Sequence, residues 1–159
     1  MLKTQMTDLF QVRNRFVRST HLERDFSDPA ALNGYVVTPS AKTGFERLAG
    51  GLAPFSAQRA WRLTGDFGTG KSSFALAVAH LFGSDDTKLP PDLQRAVDFR
   101  CLGVKRPNLL PVLVTGTRAH IGTAILEALA LALEESCPRG RRPQIVEKAR
   151  AAALKPEAR

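Results

Sequence analysis

Residues 65–73 read GDFGTGKSS, and they constrain the chain more than any other stretch of it. Gly65, Gly70, Lys71 and Ser72 meet the spacing G-x-x-x-x-G-K-[ST] without a mismatch. In a loop wrapped around a polyphosphate the backbone N–H groups have to point inward together, which takes backbone angles open mainly to glycine. Gly68 adds a third such position. Lys71 is placed to set an ammonium against the β- and γ-phosphates and Ser72 to offer a hydroxyl to magnesium. A helix begun here aims its positive N-terminal end at the anion. Asp66, Phe67, Thr69 and Ser73 complete the loop, Thr69 and Ser73 being suited to local hydrogen bonds. The expectation is a site for ATP and Mg2+ over residues 65–73, with Lys71 its catalytic cation and Ser72 its metal ligand.

Such a loop sits between a strand and a helix, and its flanks read that way. RAWRLT, residues 59–64, alternates and runs straight into Gly65, while SSFALAVAHLF repeats Phe74, Leu76, Ala77 and Leu81 at helical spacing. Upstream, TPSAKTGFERLAGGL has Thr38 as a cap, Pro39 at the first helical position and Gly50-Gly51 as a stop, which predicts a short helix. Downstream, 84–92 reads as a polar turn and 93–102 as a helix. Leu109 to Val114 is a continuous apolar run, the mark of a strand buried on both faces of a parallel sheet. RAHIGTAILEALALALEE has strong helical periodicity, and a basic helix over 144–154 ends the chain. The fold class expected is α/β, a parallel sheet flanked by helices, of which this chain holds the N-terminal part. Three stretches are anticipated: an irregular segment 1–37, a nucleotide-binding domain 38–138, and a basic linker and helix 139–159.

With these residues in view, a family can be named. WRLTGDFGTGKSSFALAVAHLF resembles the Walker A segment of P-loop NTPases, and with TPSAKTGFERLAGGL before it the stretch is similar to the opening of an AAA-type ATPase domain. Residues 21–48, the loop, and residues 111–134 together look similar to the N-terminal part of large bacterial ATP-binding proteins encoded in phage-defence and DNA-processing loci. The resemblance implies ATP and magnesium at Lys71 and Ser72, with Gly34 to Pro39 near the adenine. It also implies DNA or a partner protein as a further ligand, and homo-oligomer formation.

Hydrolysis asks for more than a cradle. A Walker B strand normally ends in an acid that helps hold magnesium and orient the attacking water. LLPVLVTG ends instead in Thr115 and Gly116, and no Asp or Glu stands between Asp98 and Glu127. Asp85-Asp86 lie in a turn, and Glu127, Glu134 and Glu135 read as the solvated face of a helix. Either the acidic strand was to follow Arg159, or the polypeptide binds nucleotide as a nucleic-acid-binding or regulatory module without efficient turnover.

The remaining features exclude more than they assign. VLVTGTRAHIG shares Thr115, Gly116 and Gly122 with the cofactor loop of short-chain dehydrogenases, but His120 stands where a glycine lets the backbone approach pyrophosphate. The one tyrosine, Tyr35, lies upstream of that loop, on the wrong side for such an enzyme. Cys101 and Cys137 form no CxxC pair and, with His21, His80 and His120 scattered, read as reduced, partly buried thiols. The net charge of +8 is uneven: residues 65–138 carry seven basic and eight acidic side chains, while residues 139–159 carry seven and two. Arg139, Arg141 and Arg142 would be the phosphate contacts of a nucleic-acid module, or part of a flexible tether. No apolar run reaches the roughly 18–20 residues of a membrane span, and the start lacks the apolar segment of a secretory signal, so the cytoplasm is the expected address.

Overall fold

The computed structural model describes residues 19–28, 30–83, 89–116, 120–136 and 144–154. Six helices stand among them: α1 Leu22–Phe26, α2 Pro39–Gly50, α3 Lys71–Gly83, α4 Pro91–Gln94, α5 Ile121–Ser136 and α6 Gln144–Ala153. α2 begins as its sequence dictates. Thr38 is extended, its hydroxyl accepts from the Ala41 N–H at 3.2 Å, and Pro39 fills the first position, where no donor is missed. The helix stops at Gly51, whose φ of −64° is ordinary for any residue. What calls for glycine there is a close approach: a Cβ would lie 2.4 Å from the Gln58 carbonyl oxygen, because residues 52–58 fold back on the helix end.

The core forms around α3. Its Leu76, Ala77, Leu81 and Phe82 are buried together with Phe45 and Ala49 of α2, Leu93 of α4, and Ala96, Val97 and Phe99 beyond it. Phe45 is wholly inaccessible and stacks on Phe74, ring centroids 4.8 Å apart and 8° from parallel. Burying such a ring contributes on the order of 1.5–3 kcal/mol. The two helices meet closely enough that a Cβ on Gly44 would come within 2.9 Å of the Phe74 ring. α1 lies on another side of α3, with Phe26 and His80 rings 4.5 Å apart and the hydroxyls of Thr20 and Ser73 at 3.0 Å. A second, smaller cluster joins α5 to α6 through Ala130, Val146 and Ala149, backed by Leu133, and Arg150 pairs with Glu134 at 2.6 Å.

The parallel-sheet α/β architecture expected from the sequence is contradicted: among the described residues there is no strand. Residues 58–66 and 104–116 do run without helix, turn or bend. A strand, however, is defined by a neighbour that pairs its N–H and C=O groups in a ladder, and among the described residues neither run has one. Nor is the second run buried on both faces, since Leu109 is 48 % exposed and Leu110 and Val114 are 38 % exposed. Alternation and apolar continuity report a straight backbone; pairing depends on a partner segment that local sequence does not specify.

Two smaller expectations also change. The helix anticipated over 93–102 ends at Gln94, because the Asp98 carboxylate takes the N–H groups of Arg100 (3.0 Å) and Cys101 (3.1 Å) and holds the chain in a turn. Cys101 is exposed rather than partly buried, and its thiol donates to Asp98 at 3.1 Å. That hydrogen bond and the adjacent negative charge push the thiol pKa up. Cys137, Asp85-Asp86, Arg139, Arg141, Arg142 and the greater part of segment 1–37 lie outside the described residues, or reach beyond them.

Candidate phosphate-binding site

The residues singled out from the sequence sit together, as a loop that leads directly into α3. Gly68 and Gly70 both hold φ +80°, the left-handed region that side chains resist. A Cβ on Gly65 would lie 3.1 Å from the Thr69 hydroxyl, so that glycine is also spatially constrained. Residues 65–70 are all exposed, and Phe67 at the tip is 100 % accessible.

Lys71 does not extend into solvent. Its Nζ donates to the Asp66 carbonyl at 2.6 Å, the Gly65 carbonyl at 3.0 Å and the Thr69 hydroxyl at 3.4 Å. Thr69 in turn donates to the Asp66 carbonyl at 2.8 Å. The ammonium therefore closes the loop on itself, held by neutral acceptors. The first intrahelical bond of α3 runs from the Phe74 N–H to the Gly70 carbonyl at 2.9 Å. The N–H groups of Lys71, Ser72 and Ser73 meet no acceptor in the described residues, as the first turn of a helix requires. Together with the helix dipole they form a positive end open to an anion. The Ser72 side chain is exposed, whereas Ser73 is engaged by Thr20, which ties the start of α3 to the segment before α1.

The donor set is of the kind that phosphate takes: glycines at positive φ, backbone N–H groups without an acceptor among the described residues, and one ammonium stand within a single short loop. For magnesium the protein offers the Ser72 hydroxyl, a hard oxygen ligand of the type this ion takes alongside phosphate oxygens and water. Among the described residues no group of three or more His, Cys, Asp or Glu side chains is gathered.

Trp61 lies in the run before the loop, with the Arg47 guanidinium 5.2 Å from its ring centroid, so α2 holds that run as well as α3. Tyr35, in the stretch the resemblance puts near the adenine, is partly buried against the core, and burial pushes its hydroxyl pKa up.

One acid escaped the sequence reading because it lies far upstream. Glu23 of α1 accepts from both the N–H and the hydroxyl of Thr115, each at 2.7 Å, at the end of the 104–116 run. These bonds hold its carboxyl below the ordinary range. No local signal joins residues 92 positions apart. Of the three glutamates assigned to a solvated helix face, Glu134 is instead taken up by Arg150. His120 stands at the head of α5, its Nδ1 accepting from the Gly122 N–H at 3.3 Å.

Comparison of the chain with protein-family models, with curated proteins and with solved structures gave no match. Among the described residues no helix is long and apolar enough to cross a membrane.

Proposed function

We propose that residues 65–73 bind the phosphates of ATP together with magnesium, in a cytoplasmic ATPase of the AAA type that couples nucleotide binding or hydrolysis to a conformational change. The observation that carries this reading is the Lys71 ammonium, 2.6 Å from the Asp66 carbonyl and inside a loop whose glycines hold φ +80°. A full positive charge rests there on neutral acceptors; an anionic phosphate oxygen is the stronger partner for the same group. Lys71 and the free N–H groups at the start of α3 bind and orient the phosphates, and Ser72 holds the metal. When bound, magnesium neutralises charge on the phosphate oxygens. A role in DNA processing or phage defence rests on the resemblance of residues 21–48, the loop and residues 111–134 taken together.

A second reading is a nucleotide-dependent regulatory or nucleic-acid-binding module without efficient hydrolysis. It is favoured by the absence of any carboxylate between Asp98 and Glu127 and by the engagement of Glu23 with Thr115. Amide NMR spectra recorded with added ATP and magnesium test the site common to both readings. The largest shifts are expected at Gly65 to Ser73, and shifts confined to other residues would overturn the assignment.

A further inference from the structure

We propose that the loop from Gly51 to Trp61 binds single-stranded nucleic acid, a base stacking on Phe55 and the phosphates on either side of it meeting Arg47 and Arg59. The surface draws on none of residues 65–73 or 139–142 and needs no bound nucleotide. The loop is closed at its base: a Cβ on Gly51 would stand 2.4 Å from the Gln58 carbonyl oxygen and 3.4 Å from Trp61 Nε1. Within it the Ser56 N–H donates to the Ala53 carbonyl at 3.1 Å, and the Ser56 hydroxyl accepts from the Gln58 N–H at 3.2 Å. Phe55 stands on this tied turn and carries two costs at once. Its side chain is wholly exposed, at 103 %, and its φ of +67° lies in the left-handed region that a bulky residue resists. Glycine would remove both costs, so neither the backbone nor the core accounts for an aromatic ring here. A free ring is what a nucleobase uses, since every base has a π-face and stacking asks for no particular sequence.

The charges around the ring choose the partner. From Arg47 to Gly65 the chain holds three arginines, Arg47, Arg59 and Arg62, and no acid. None of the three pairs with a carboxylate among the described residues. Two of them are held in place. Arg59 Nε donates to the Ser56 carbonyl at 3.4 Å, which brings the guanidinium beside the residue that follows Phe55. The Arg47 guanidinium lies 5.2 Å from the Trp61 ring centroid, at the base of the same loop. Guanidinium groups fixed in this way hold their charge and keep N–H donors for phosphate oxygens. A lipid surface calls for a continuous apolar face, which one ring set between arginines does not supply.

The test follows the fluorescence anisotropy of labelled oligothymidylate and oligouridylate with the whole chain, without ATP, across a salt series. Saturable binding is expected, with log affinity falling against log salt at a slope of about −1.4 or steeper, as two neutralised phosphates require. The tighter of the two oligomers identifies the strand as DNA or RNA. Phe55→Gly should weaken binding about fivefold or more while the protein melts at the same or a higher temperature, a pairing that a purely structural role for the ring does not produce. Arg47→Gln combined with Arg59→Gln should weaken binding and flatten the salt slope by about 1.4. A base-paired duplex, which offers no free base, should bind more weakly than either oligomer. Absence of binding by the wild type, full binding by Phe55→Gly, or equal binding of the duplex would overturn the proposal. So would binding that depends on Phe55 to phosphatidylglycerol vesicles or to a polyglutamate peptide. None of these outcomes bears on ATP at residues 65–73.

Discussion

The Nζ of Lys71 lies 2.6 Å from the carbonyl oxygen of Asp66, five residues earlier, so this cation closes the loop on itself. The loop is thus closed by its own side chain, and on the proposed function a phosphate oxygen would take the place of those neutral acceptors. The stacking of Phe45 on Phe74 fixes the first turn of α3 against α2, which is how a buried ring reaches the site.

Phe45→Ala is expected to lower stability by about 3–5 kcal/mol, the range for truncating a fully buried aromatic ring. Because typical domains hold only about 5–15 kcal/mol, urea unfolding followed by circular dichroism will show the loss plainly. A decrease under about 1 kcal/mol would mean that α2 does not pack on α3 as described.

Two glycines should respond in opposite directions. A Cβ on Gly83 would sit 2.4 Å from Pro111 Cγ and 3.0 Å from the Leu109 carbonyl, so Gly83→Ala should cost about 1–3 kcal/mol. Gly50, at the end of α2, has nothing within 4 Å of such a Cβ, and Gly50→Ala should stabilise by up to about 1 kcal/mol. Thermal melts of the pair provide the check, with equal effects contradicting the docking of the 104–116 run onto α3.

His80 predicts a pH dependence. Burial beside Phe26 pushes its pKa below the ordinary 6.5. Below that value the unfolded chain binds a proton that the folded chain does not, so stability falls as pH drops from about 7 toward the lowered folded value. Above about pH 7.5 the imidazole is neutral in both states and contributes no slope. In denaturant titrations at pH 7.5, 6.5 and 5.5 the wild type should weaken stepwise while His80→Gln stays flatter, and parallel curves would refute the assignment.

ATP should be turned over slowly. Glu23 is hydrogen bonded to Thr115, and no acid follows the 104–116 run before Glu127, so no candidate for a water-orienting acid stands out among the described residues. A phosphate-release assay should give a rate below about 0.01 per second, against the roughly 1–100 per second of kinases. Brisk hydrolysis abolished by Glu23→Gln would assign that acid a direct part.

What could be read in advance follows the reach of each interaction. Thr38 and Pro39 announce α2 because a cap is a contact between residues three apart, and Gly68 and Gly70 announce the loop because positive φ is a property of single residues. The helices α3 and α5 carry their periodicity in one stretch of chain. Leu109 to Val114 misled for the opposite reason: its composition suits a buried strand, yet burial on both faces needs neighbours from elsewhere, and the described residues cover the run only in part. The short α4 failed through a competing local bond, the Asp98 carboxylate taking N–H groups that a longer helix would have used. The Glu23 contact with Thr115 was illegible, since nothing in either residue's surroundings points to the other.

The central claim is that Lys71 and the amides beside it seat a triphosphate. Equilibrium dialysis of the folded chain and of Lys71→Ala against ATP with magnesium, with AMP as the competitor lacking β- and γ-phosphates, tests it most directly. Saturable binding of ATP by the wild type is expected, with AMP a poor competitor and affinity lowered at least tenfold in the variant. Equal affinity of the two proteins for ATP would contradict the account.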